Sequence, residues 1–435
     1  LEFERFSSDC QIEYQDIQTV ALKKYTKYPV TTNGTGLATN SIDYYKSTKM
    51  LDNYAFDYYP GLRDTSVDSF PYAFARGIKS GKAFWVLEFM SGGGHRFGGS
   101  GRVQPNPGAL KQSVVQSFAH GAAMMMHFQF RSFPIGAEQL NYAIVDLDGI
   151  PRRRYYEMKD TAALLKKLSA YKAATFENEV AICMDYDTHW ALRIKPVNDP
   201  VFNYLDFCGK FYHALLDLGI NSDVIPLTED FGKYKVLILP SAFILEEKYR
   251  EKLKTYVSQG GILIGTFLTS VKNEDNIGYT ETLPAGLTDL FGIHVEEVEP
   301  VFETNIMDLK MKLNDKELAY QDGSWSELLS GPAEMIGTYT EGYKAEQGVV
   351  ARHKYGKGTA YYMGTELPEE GIRNLLETIC SKNNIKKHPF NPIEGVEVVR
   401  RNLNGKELYY LFNFTRKDQK ISFQDELMDC VEDKV

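Results

Sequence analysis

Glu88 closes an unbroken apolar run, Ala83-Phe84-Trp85-Val86-Leu87, and the glycine-rich stretch GGGHRFGGSG (92–101) follows close behind it. A carboxylate between apolar walls is costly unless it has a partner or a task. Two readings fit: a nucleophile or general acid/base at a strand end, or a structural glutamate paired with an arginine. Glu138, in FRSFPIGAEQLNYAIVDLDG, sits in a loop, where a solvated surface glutamate is the ordinary alternative. Phe128 and Phe130 alternate with His127 and Gln129. One ring facing a cleft could stack on the apolar face of a sugar, while the other reads as core. Arg131, His95 and Arg96 could each hold a substrate oxygen, whereas His120 and His127 read as satisfied helix and strand residues. GGGHRFGG lacks the Gly-Lys-Ser/Thr ending of a phosphate loop. Its glycines read as a flexible or tightly turned loop over the site.

These side chains need elements to position them. Residues 1–28 read as helix, followed by short apolar strands at PVTTNGTG (29–36), DNYAFDYYP (52–60), KAFWVLEF (82–89) and AMMMHFQF (123–130). Helical patterns intervene at 107–122, which ends at Gly121, and at 152–172. Strands apolar on both faces belong to parallel sheets. Asn33, Tyr59, Glu88 and Arg131 stand just after the strands, where barrel enzymes carry their chemistry. The fold class is α/β. Residues 1–172 read as the second half of a (β/α)8 TIM barrel, because four strands occupy them where a whole barrel needs eight.

Residues 173–386 read as a doubly wound α/β domain of amidotransferase-like pattern, with strands at 179–187, 221–227, 234–242 and 260–267 and a late strand at 357–367. No Gly-x-Gly-x-x-Gly follows its first strand and no cysteine follows GGILIGTF. That excludes a dinucleotide site and a thiol nucleophile there, and leaves a structural or oligomer-forming role. Residues 387–435 read as a small antiparallel β domain built on an Asn-Gly turn.

Composition narrows the function classes. The 435 residues are 43% hydrophobic and 25% charged, with net charge −9, which excludes a basic nucleic-acid binder. Aromatics reach 13%, in keeping with sugar-binding clefts and with ordinary cores alike. No apolar run is long enough to span a bilayer. The five cysteines, at 10, 183, 208, 380 and 430, lack metal-site spacing and read as free thiols of a reducing compartment, hence a cytoplasmic protein. No metal or cofactor is expected.

The segments KAFWVLEFM, NPGALKQSVVQSFAHGA, FQFRSFPIGAEQ and VDLDGIPRRRYYE together resemble glycoside hydrolase family 42, the β-galactosidases. The resemblance implies that Glu88 is the catalytic nucleophile, that Phe128 is a cleft aromatic, and that Glu138 binds sugar hydroxyls. It makes Tyr59, in DYYP, the tyrosine that supports the nucleophile, and it aligns PVTTNGTG with the family's fifth strand. It extends through VAICMDYDTHWALR into the family's trimer-forming domain, which implies a homotrimer. Two positions depart from the pattern. Asn141 stands where the family has a histidine, and Arg96 stands near the place of a missing tryptophan. Both positions contact the sugar in the family, so a related glycone, an arabinopyranoside or fucoside, competes with galactose. A non-catalytic carbohydrate-binding or assembly fragment is the third reading.

The implied reaction is retaining hydrolysis of β-galactoside oligosaccharides, which requires two carboxylates about 5–5.5 Å apart. Tyr59 is the expected donor that favours ionised Glu88. The family's acid/base is the Glu of an Asn-Glu pair on the fourth barrel strand, and LEFERFSSD resembles the helix after that strand. The acid/base is therefore expected upstream, on a longer chain or a separate N-terminal half-barrel.

Overall fold

The computed structural model describes residues 1–37, 41–60, 68–95, 101–198, 202–415, 417–423 and 427–431. The chain divides into two units, Gln11–Glu177 with His388–Val435, and Leu1–Cys10 with Asn178–Lys387.

In the first of these units, strands β1 (Asn33–Gly34), β2 (Ala55–Tyr58), β3 (Phe84–Met90) and β4 (Ala122–Phe128) form one sheet in the order β1-β2-β3-β4. Every pair is parallel. Parallel neighbours require crossovers. These contain α1 (Phe70–Ile78) between β2 and β3 and α2 (Ala109–Ala119) between β3 and β4. The chain leaves α2 through Gly121 at φ 103°, a left-handed position that suits glycine after a helix end. A third helix, α3 (Arg153–Leu168), follows β4. On β3, Phe84 and Val86 are fully buried. The Tyr72 ring of α1 stacks on Phe84 with centroids 5.9 Å apart, and Phe56 of β2 lies 5.8 Å from Phe84. One face of the sheet is thus sealed by aromatic packing, which leaves the polar strand ends to the other.

The same unit contains an antiparallel hairpin, Val396–Leu403 with Lys406–Asn413. Its turn residues Asn404 and Gly405 both have positive φ, as a tight two-residue Asn-Gly turn requires. The hairpin shares a core with α2: Val399 and Phe412 cluster with Ala119. Glu397 accepts hydrogen bonds from Gln116 (2.8 Å) and the buried His120 ring.

In the other unit, parallel strands β5 (Val180–Cys183), β6 (Ser222–Ile225), β7 (Val236–Leu239), β8 (Ile262–Thr266) and β9 (Gly358–Met363) run in the order β9-β8-β7-β5-β6. The first four fall where the sequence places strands, and the late strand joins β8 in parallel. Six further strands between His294 and Tyr355 extend the sheet antiparallel beyond β9. No apolar run in the sequence marks them. Segments such as HVEEVEP and KELAYQ mix charged and apolar residues, and their strand character comes from pairing rather than apolar runs. Glu327 is fully buried on one of them, where it accepts from the Leu268 N–H and the Tyr362 hydroxyl, each at 2.8 Å. Burial pushes its carboxyl up to about 7. No helix among the described residues is long and apolar enough to cross a membrane.

Candidate active site

The pairing of β3 with both neighbours slips just before Glu88. On the β2 side, Phe56 pairs with Val86 and Asp57 with Glu88; on the β4 side, Met125 pairs with Val86 and His127 with Phe89. A bulge of this kind puts two successive side chains on one side of a strand. Buried Val86 is followed by half-buried Leu87 and Glu88, then by buried Phe89. The extra residue therefore turns Glu88 away from the aromatic core.

Two polar side chains from adjacent strand ends meet Glu88 or its neighbour Asp57. The Tyr59 hydroxyl donates to Glu88 Oε2 at 2.7 Å. Asn33 Nδ2 donates to Asp57 Oδ1 at 2.9 Å and reaches Glu88 Oε1 at 3.4 Å. Among the described residues, Glu88 meets these two neutral donors and forms no ion pair with a lysine or arginine. Desolvation, and then the charge of Glu88, raise the Asp57 carboxyl to about 7. Groups so perturbed cluster at functional sites and also occur in structural networks.

A second cluster forms around Glu138 and Asn141. Asn141 Nδ2 donates to Glu138 Oε2 at 3.2 Å, and both residues are half-buried. The loop that leaves β3 braces this segment: the Tyr142 N–H donates to the Gly93 carbonyl at 3.0 Å, and Gly94 forms a bridge with Asn141. A Cβ on Gly94, which has φ 120°, would stand 2.1 Å from the Leu140 carbonyl oxygen, and one on Gly92 would stand 2.6 Å from that of Tyr142. Residues 92 and 94 thus lie so close to the 140–142 backbone that only glycine fits there. Phe128 ends β4 with its ring 6.2 Å from Phe133, edge-on, while Phe130 is exposed.

The remaining candidates divide. Arg96 lies outside the described residues. Arg131 donates to the Leu147 carbonyl at 2.9 Å rather than into the Glu88 cluster. His120 is buried and satisfied by Glu397 and Arg76, as expected. His127 faces the Met90 carbonyl at 3.3 Å. Sequence reasoning noticed Asn33 without assigning it a task and passed over Asp57. The available signal was its position in AFDYYP, two residues before Tyr59 on the same strand end. No group of metal-ligating side chains occurs among the described residues.

Residues 1–168 match the family model described as beta-galactosidase, and residues 178–386 match that of the beta-galactosidase trimerisation domain. The beta-galactosidase BgaA of Clostridium cellulovorans is 30% identical over 439 residues, covering 98% of this chain and 64% of that protein. The beta-galactosidase bgaB of Geobacillus kaustophilus is 28% identical over 449 residues, covering 100% of this chain and 63% of that protein. A crystal structure of beta-galactosidase from Bacillus circulans sp. alkalophilus superposes with TM-score 0.92 at 27% identity, covering 99% of this chain and 64% of that one. The chain thus spans just under two thirds of the length of these relatives.

Proposed function

We propose, from the premise that this chain belongs to glycoside hydrolase family 42, that it carries the nucleophile half of a retaining β-galactosidase, with Glu88 as the attacking carboxylate. The four parallel strands are then the second half of a (β/α)8 barrel, and the unit of residues 178–387 is a doubly wound domain that assembles a homotrimer. The five unpaired cysteines suit a reducing, cytoplasmic setting.

The observation that carries this reading is the 2.7 Å hydrogen bond from Tyr59 to a carboxylate that has no cation partner among the described residues. A carboxylate nucleophile must be ionised, with an oxygen lone pair free for attack. A neutral hydroxyl donor favours the charged form and leaves a lone pair for attack. Glu88 would displace the aglycone from the anomeric carbon and form a glycosyl-enzyme that water then hydrolyses, with net retention. The two Asn-Glu pairs of this chain, 178–179 and 273–274, lie in the other unit. The reading therefore assigns the acid/base to the part of the relatives' length that this chain does not span. Glu138 and Asn141 would hold sugar hydroxyls and Phe128 would face the ring, with Arg96 as a further contact from the loop.

The test is hydrolysis of nitrophenyl glycosides by the complete protein that contains these residues. Glu88→Gln should lower β-galactoside turnover by more than about a thousandfold, the scale on which loss of a covalent nucleophile acts. NMR of the first-formed sugar should show retained configuration. Unchanged activity of Glu88→Gln, or an inverted product, would remove the assignment. Faster turnover of the β-fucoside or α-L-arabinopyranoside than of the galactoside would move the glycone to the related sugar.

A further inference from the structure

Asp57 and Glu88 are register partners on adjacent parallel strands, so two carboxyl groups stand side by side at a strand spacing of about 4.8 Å. Carboxylates at such range do not both ionise readily, and one keeps the proton. Their surroundings differ. Glu88 has a donor on each oxygen, Tyr59 on Oε2 and Asn33 on Oε1. Among the described residues, Asp57 has Asn33 alone as donor, on Oδ1. Among the described residues, the groups that act on Asp57 are Asn33 from β1, Glu88 from β3 and the buried Tyr54 from its own strand region. Glu88 is the one full charge among them.

We propose that Asp57 is a positioning residue that stays protonated and so keeps the single negative charge of the pair on Glu88, with Asn33 as the shared clamp. This rests on the reading of Glu88 as nucleophile and extends it. The desolvation of Asp57 and its rise to about 7 agree with this order of ionisation. The Asp57 proton then leaves near neutrality. Ionised Asp57 would then compete for the Asn33 amide and repel Glu88 from its Tyr59 hydrogen bond.

The experiment is the pH dependence of kcat/KM in the complete protein with a dinitrophenyl galactoside, whose leaving group needs no protonation. Wild type should lose activity as pH rises through about 7. Asp57→Asn, neutral at every pH, should lack that inflection and keep its acid limb within about one pH unit of wild type. Asp57→Ser, smaller and also neutral, should behave alike and serves if the asparagine variant misfolds. An inflection that persists in both variants, or an acid limb that drops by more than about one unit, would overturn the proposal, because a charged Asp57 would then have been burdening Glu88. Glu88→Gln measured in parallel separates the two claims. If it stays active, the nucleophile reading fails. If it is inactive and the Asp57 profiles disagree, only the proton assignment fails.

Discussion

The Tyr59 hydroxyl donates to Glu88 Oε2 at 2.7 Å, from the end of one parallel strand to the end of the next. The contact exists because β3 bulges before Glu88 and because β2 runs straight into Tyr58 and Tyr59. Tyr59→Phe removes the hydroxyl and keeps the ring. A hydrogen bond to a charged group contributes about 1.5–3 kcal/mol, so kcat/KM should fall about 10- to 100-fold. The variant should fold as wild type does, because the ring that packs there is kept. Activity profiles together with thermal melts check both halves.

Gly94 and Leu140 give a second prediction. A methyl group on Gly94 meets the Leu140 carbonyl at 2.1 Å, and its φ of 120° disfavours any side chain. Gly94→Ala should cost about 1–3 kcal/mol of stability. Under the reading that Glu138 and Asn141 hold the sugar, it should raise KM more than it lowers kcat, since the displaced segment carries both. Gly81 is the control. It also has positive φ, 83°, but a Cβ there has no atom within 4 Å. Gly81→Ala should carry the backbone cost alone, with KM unchanged.

Glu327 predicts a pH-dependent stability. Its carboxyl is raised from 4.5 to about 7 in the folded protein. A raised group contributes stability that is fully present below pH 4.5 and is lost as pH climbs through about 7. The loss is up to about 3 kcal/mol, from 1.36 kcal/mol per unit. Glu327→Gln does not titrate, so its stability relative to wild type should improve between pH 5 and pH 8. Denaturant midpoints at the two values measure this. A difference independent of pH would mean that Glu327 does not change protonation on folding.

What the sequence makes legible follows from how local each feature is. KAFWVLEF reads as a buried parallel strand because its residues are apolar on both faces, and Asn404-Gly405 reads as a hairpin because only residues tolerant of positive φ fit there. Tyr59 as donor to Glu88 follows from the family resemblance rather than from spacing. Asp57 escapes because its importance lies in its register opposite Glu88, and the bulge at Leu87 that sets this register has no marker in the sequence. Gly92 and Gly94 escape for the same reason. Their neighbours are carbonyls of Tyr142 and Leu140, far along the chain, and nothing local distinguishes a hinge from a close approach.

The central claim is that Glu88 forms the covalent bond to the sugar. Its most direct measurement is mass spectrometry of the complete protein after reaction with a 2-deoxy-2-fluoro-β-galactoside bearing an activated leaving group, which slows release of the glycosyl-enzyme. The account predicts one fluorogalactosyl group, on Glu88, within a peptide spanning Phe84–Met90. A label on Asp57, Glu138 or any other carboxylate, or turnover with no covalent adduct, would contradict it.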